Sequence, residues 1–206
     1  MESKRKEIVE RAAELFLRRG FKSVSMDEIA QELGISKKTL YKFVPDKKTL
    51  VSLVVSLKIE NEQQFLADLE KQNLGALQEN QAIAEFVFGN MKDTNPIVFY
   101  DLQKFFRESW NQIVTYSDSA IFGCLKANLE KGQKEGVYRT NIEPKVMGLF
   151  YQGIMDQVFN NRKLEMVGLK PGEMFREMNR YNLLAICSPK GRLEIETLIE
   201  NNKLWD

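Results

Sequence analysis

The chain of 206 residues contains no histidine. That absence removes the commonest general base, the commonest zinc ligand and every Ser-His-Asp arrangement. It argues against an enzyme, although carboxylate and lysine chemistry stay open. Cysteine is scarce as well. Cys124 and Cys187 lie far apart without CxxC spacing, so a disulfide framework and a zinc site lack support and both read as buried thiols. No cofactor and no metal are expected. Long hydrophobic runs are also missing. The most apolar stretches, residues 50–57 and 146–158, are short or carry polar residues, against the roughly 20 apolar residues that span a bilayer. The start, Met1-Glu2-Ser3-Lys4-Arg5-Lys6-Glu7, is charged and has no secretory apolar segment behind it. A cytoplasmic protein without a membrane partner is expected.

What is present is an ordinary globular composition, 43% hydrophobic and 29% charged. The length permits a small module of about 50 residues beside a larger one with its own core. The net charge of +1 is unevenly spread: residues 1–50 hold twelve Lys/Arg against eight Asp/Glu, the remainder eighteen against twenty-one. A basic head on a mildly acidic body hints at a polyanionic partner for the head.

Nearly everything reads as helix, and no alternating β-branched run competes. Ile8, Ala12, Leu15 and Phe16 share one helical face, and Gly20 ends that helix. Ser25-Met26-Asp27-Glu28 has the form of a capping box opening a second helix, which buries Met26, Ile29, Ala30 and Leu33. Gly34 suits a left-handed turn and Ser36 a new N-cap, so a short third helix runs from Lys37 to about Phe43. Pro45-Asp46 restarts the chain into a long fourth helix over residues 47–72, with Leu50, Leu53, Val54 and Leu57 inward. Further helices are predicted near 75–91, 96–115, 118–135, 143–163, 172–187 and 190–203.

Two short helices joined by a tight glycine turn, packed on a preceding helix, are the elements of a helix-turn-helix. Its second helix needs a buried anchor and small polar or cationic side chains in its first turn. Ser36-Lys37-Lys38-Thr39-Leu40-Tyr41-Lys42-Phe43 fits, with Leu40 and Val44 inward. By itself this stretch reads equally well as a surface helix with a solvated lysine face.

The surrounding residues decide between the two. Ala12-Ala13-Glu14-Leu15-Phe16, Gly20-Phe21, Ser25-Met26-Asp27-Glu28-Ile29-Ala30, Leu33-Gly34-Ile35-Ser36, Thr39-Leu40-Tyr41 and Asp46-Lys47-Lys48-Thr49-Leu50 fall in one order. That order resembles the DNA-binding domain of the TetR family, over residues 5 to about 50. The resemblance implies an all-α protein: a three-helix helix-turn-helix DNA-binding domain over 1–48, then a helical effector-binding and dimerisation domain over 49–206. It places Lys37, Lys38, Thr39 and Tyr41 at base edges and phosphates of double-stranded operator DNA. Ser25, Ser36, Lys42 and Lys47 become DNA contacts too, Ser25 and Lys47 holding phosphates at helix N-termini. One departure is Phe43-Val44, where the family usually has Tyr or His followed by Phe; Phe43 has no hydrogen bond to offer a phosphate.

Past residue 50 the resemblance has less to rest on, although Lys131–Arg139 resembles a turn that precedes the family's dimerisation helices. The family implies a small-molecule effector and a four-helix homodimer interface. For the interface the sequence offers Phe150, Ile154 and Val158 on one helix and Met178 and Tyr181 on another. For an apolar or aromatic effector it offers Phe86, Phe99, Phe105, Phe106, Trp110, Tyr116 and Phe122, which equally read as plain core. The resulting expectation is a ligand-responsive repressor on a palindromic operator. An activator or ligand-free binder, a carboxylate-based helical enzyme and a pure interaction module stand behind it.

Overall fold

A computed structural model describes residues 2–159, 164, 166 and 168–200. Helix α1 (Glu2–Arg19) buries Ile8, Ala12 and Phe16 completely, at the spacing that puts residues on one face. Gly20 then adopts φ +90, and its amide donates to the Phe16 carbonyl. α2 (Met26–Glu32) opens on the capping box: the Ser25 hydroxyl accepts from the Glu28 amide, and the Glu28 carboxylate receives the Ser25 amide at 2.7 Å. Gly34, at φ +63, turns the chain into α3 (Lys37–Phe43), which is capped by Ser36 and anchored by the fully buried Leu40. Val44 closes α3 and is itself fully buried, so the smaller side chain there is accommodated by the core.

α4 (Lys47–Glu70) starts at Asp46, whose carboxylate accepts from the Thr49 amide at 2.7 Å. Leu50, Val51, Val54 and Val55 join the core of the first three helices, with Leu53 and Leu57 only partly buried. That core continues into the body through Val98 and Leu102 of α6 (Ile97–Phe105). The body is completed by α5 (Ala76–Met91), α7 (Arg107–Tyr116), α8 (Phe122–Glu135), α9 (Pro144–Val158), α10 (Pro171–Ile186) and α11 (Pro189–Glu200). Within it α5 packs on α8 and α10, and α9 on α8 and α10. Gly132 of α8 lies directly under the Tyr138 ring, where a Cβ would not fit.

The helical punctuation differs from expectation at two places. The single helix expected over 96–115 is broken at Phe106, which leaves helical geometry at φ −132, ψ 53. Conversely no break occurs at Ser117-Asp118: a π-helical turn, Ser117–Ile121, carries α7 straight into α8. The expected ends at 163 and 203 fall on residues outside those described.

Candidate nucleic-acid interface and cavity

The first turn of α3 is exposed while Leu40 holds its inner side. The Ser36 hydroxyl accepts from the Thr39 amide at 3.0 Å and lies 2.8 Å from the Thr39 hydroxyl. Lys37 is drawn back to Asp27 of α2 at 2.7 Å, which raises its ammonium pKa. Lys38 and Lys42 are exposed and make no ion pair among the described residues. Tyr41 stands beside them, 41% exposed. The Ser25 hydroxyl donates to the Glu28 carboxylate at 2.9 Å, so it is engaged in its own cap. The Ser25 amide and hydroxyl, joined by Arg19 at 2.7 Å, hold the Glu28 carboxyl down to about 2.

Lys47 lies further in than its neighbours. Its ammonium donates to the Lys22 carbonyl at 3.0 Å, and burial lowers its pKa. It sits at the seam between the first three helices and the body. There Asp101 of α6, 3% exposed, accepts from the Lys22 amide at 2.7 Å. The Asn95 backbone amide donates to the Leu17 carbonyl at 2.8 Å and its side-chain amide to the Arg18 carbonyl at 3.3 Å, so the end of α1 is tied to the body here as well. The break at Phe106 also serves this seam. Successive residues on a continuous helix face directions about 100° apart, whereas here Phe105 lies under Lys22 at 4.4 Å and Phe106 faces Phe21 at 6.0 Å.

A cavity of about 210 Å³ opens in the body between α4, α5, the α7–α8 run, α9 and α10. Of the seven aromatic residues expected to line it, Phe86 and Tyr116 do. The other five do not. Phe105 and Phe106 belong to the seam and to a separate surface groove beside α4. Phe99 and Trp110 form a second layer, 4.8 and 5.9 Å behind Phe159, which lines the cavity itself. Phe122 packs on Gly148 of α9. The sequence reading missed the polar wall: Lys58 and Glu62 of α4, Asn80, Asn128, Gln152 and Asn179. Its only signal was polar residues interrupting apolar faces. Among the described residues, Asn80 Oδ1 and the Tyr116 hydroxyl are buried without a hydrogen-bond partner. Burial pushes Glu62 up to about 7 and lowers the Lys58 pKa.

Of the expected interface residues, Phe150 and Tyr181 project outward, 62% and 71% exposed, and Ile154 is half-buried. Val158 and Met178 point the other way. They pack with Tyr151 and Phe175 in the protomer's own core and offer a partner no surface. Beside Phe150 and Tyr181, Leu149 and Leu184 extend the exposed apolar face, and Gly153 leaves it open.

Residues 8–54, which span α1 to the first turns of α4, match the family model for bacterial regulatory proteins of the tetR family. These residues are similar to the helix-turn-helix of that family. A helix-turn-helix is a DNA-binding unit, and the match assigns one to the start of this chain. The chain is 26% identical over 156 residues to the HTH-type transcriptional regulator YvaF of Bacillus subtilis (strain 168), covering 75% of this chain and 80% of the relative. The same fold recurs in a TetR-family regulator from Agrobacterium tumefaciens, at TM-score 0.72 and 21% identity, covering 91% of this chain and 99% of that one. It recurs in a protein from Saccharomonospora viridis classed as a transcriptional regulator and solved in complex with choline, at TM-score 0.69 and 18% identity, covering 91% and 100%. Among the described residues no helix is long and apolar enough to cross a membrane.

Proposed function

We propose that this protein is a ligand-relieved repressor that binds a palindromic operator as a homodimer and is released by a small effector in the body cavity. The observation that carries the reading is α4. One unbroken helix begins at Lys47, beside the DNA-facing elements, and supplies Lys58, Glu62 and Leu66 to the cavity wall. A ligand that favours one position of this helix shifts the N-terminal domain with it. The domain units are then 1–48 and 49–206, joined by α4 and by the Asn95 and Asp101 ties.

On the DNA, Lys38, Thr39 and Tyr41 of α3 face the major groove, with Lys37 reaching it once Asp27 releases it. Ser25, Ser36, Lys42 and Lys47 face phosphates; Lys47 must leave the Lys22 carbonyl to do so. One helix-turn-helix reads one half-site, and half-sites lie about 34 Å apart. Two copies are therefore required, and the exposed apolar face of α9 and α10 supplies a self-complementary surface through Phe150, Ile154 and Tyr181.

The test is binding of the purified protein to duplex DNA from beside its own gene, against random duplex. Two protomers should protect an inverted repeat, and an effector extract should release them. Equal affinity for both duplexes at every salt concentration contradicts the reading.

A further inference from the structure

The cavity contains polar atoms that its own walls leave unsatisfied. Glu62 is half-buried on the α4 side and has neither an ion pair nor a hydrogen bond among the described residues. Tyr116, 9% exposed, lines the same space with a hydroxyl that has no partner among the described residues, and so does Asn80 with its amide oxygen. A carboxylate and an amide oxygen can only accept, and a phenol oxygen can accept as well as donate. The ligand that satisfies all three is therefore a donor, and a positively charged one meets the carboxylate best. Lys58 lines the cavity one turn earlier without pairing with Glu62. Phe86, Ile83 and Phe159 give the same cavity an apolar side, beside the amides of Asn128, Gln152 and Asn179. At about 210 Å³ the space exceeds the roughly 150 Å³ cavity that takes up benzene, so a ring with a short side chain fits.

We infer that the effector is a small primary or secondary amine whose protonated nitrogen is received by Glu62, Asn80 and Tyr116 while an apolar or aromatic body fills the remaining cavity. This rests on the reading of the cavity as the effector site. Burial holds the empty-site Glu62 at about 7, so amine binding must displace its proton. The phenol and thiol groups facing it stay neutral through that range. Burial pushes Tyr116 and Tyr151 far up and Cys124 up to about 11. Glu79, which acts on Cys124, is tied to Lys131 at 3.0 Å. Lys58, lowered by burial, is controlled by substitution.

The experiment is calorimetric titration of the full chain, without DNA, with phenethylamine, phenethyl alcohol and hydrocinnamate. Phenethylamine should bind more tightly than the alcohol, and its affinity should rise about tenfold from about pH 6 to about pH 8 as Glu62 ionises. Glu62→Gln should weaken the amine about thirtyfold or more, abolish the pH dependence and leave the alcohol unchanged, which also shows the cavity intact. Tyr116→Phe should weaken the amine while keeping the pH slope, and Lys58→Met should not weaken it. Amine binding that is no tighter than the alcohol, independent of pH, or indifferent to Glu62→Gln overturns the inference. So does tight hydrocinnamate binding lost in Lys58→Met, which would make the cavity an anion site. None of these results touches the operator experiment, which uses no amine and tests repression separately.

Discussion

Asp101 is the side chain whose loss separates the two halves of the molecule most simply. It is buried between α6 and the end of α1, where it accepts the Lys22 amide. It also comes so close to Gly20 that a Cβ there would meet its carboxylate at 2.9 Å. Asp101→Ala leaves a buried amide unpaired and should cost about 2 kcal/mol of stability. Asp101→Asn keeps an acceptor and should cost less, and thermal denaturation of the two variants distinguishes them. Equal melting of Asp101→Ala and the parent would remove Asp101 from the coupling seam. The acidic character of position 101 was plain in the sequence, but its partner, seventy-nine residues away, was not. Lys47 shows the same limit: a lysine at a helix start suits a phosphate, yet this one rests on a carbonyl of its own chain.

Among the elements, those set by local chemistry were legible. Ser25, Ser36 and Asp46 each cap the helix expected of them, because a cap is decided within four residues. Two consequences can be measured. Glu28 has a depressed pKa, so its contribution to the α2 cap is complete above its ordinary value of 4.5 and is lost as pH falls toward about 2. Acid unfolding of the N-terminal domain, followed by circular dichroism, should show that window, and Glu28→Gln should remove it. An identical acid profile for the variant would deny the cap this role. Leu40→Ala, which empties a fully buried site, should cost about 3 kcal/mol in chemical denaturation. A cost near zero would mean that α3 is not anchored through Leu40. The break at Phe106 was not legible because no glycine or proline marks it. The π-helical turn likewise hides in an unremarkable Ser117-Asp118-Ser119 run, although Ser117 and Ile121 both line the cavity.

For the whole molecule, a family of aromatic residues between 86 and 122 divides into cavity wall, second layer, domain seam and the α8–α9 contact of Phe122, a partition that only tertiary packing makes. The same holds for the expected interface. A helical face wide enough to include both Phe150 and Val158 has two sides, and the core takes Val158 and Met178. The exposed side makes a prediction about assembly: Phe150→Asp combined with Tyr181→Ser should weaken dimerisation by about 3 kcal/mol or more, seen as monomer in sedimentation at concentrations where the parent is dimeric. Unchanged sedimentation would place the interface on another surface.

The most direct measurement is the salt dependence of DNA affinity for the parent and for Lys38→Ala and Lys42→Ala. Each lysine that neutralises a phosphate in both protomers should lower the slope of log affinity against log salt by roughly 1.8 per dimer. A lysine that contacts a base should weaken the preferred duplex more than random duplex. If both variants keep the parent's slope and its preference, α3 is not the element that grips the operator.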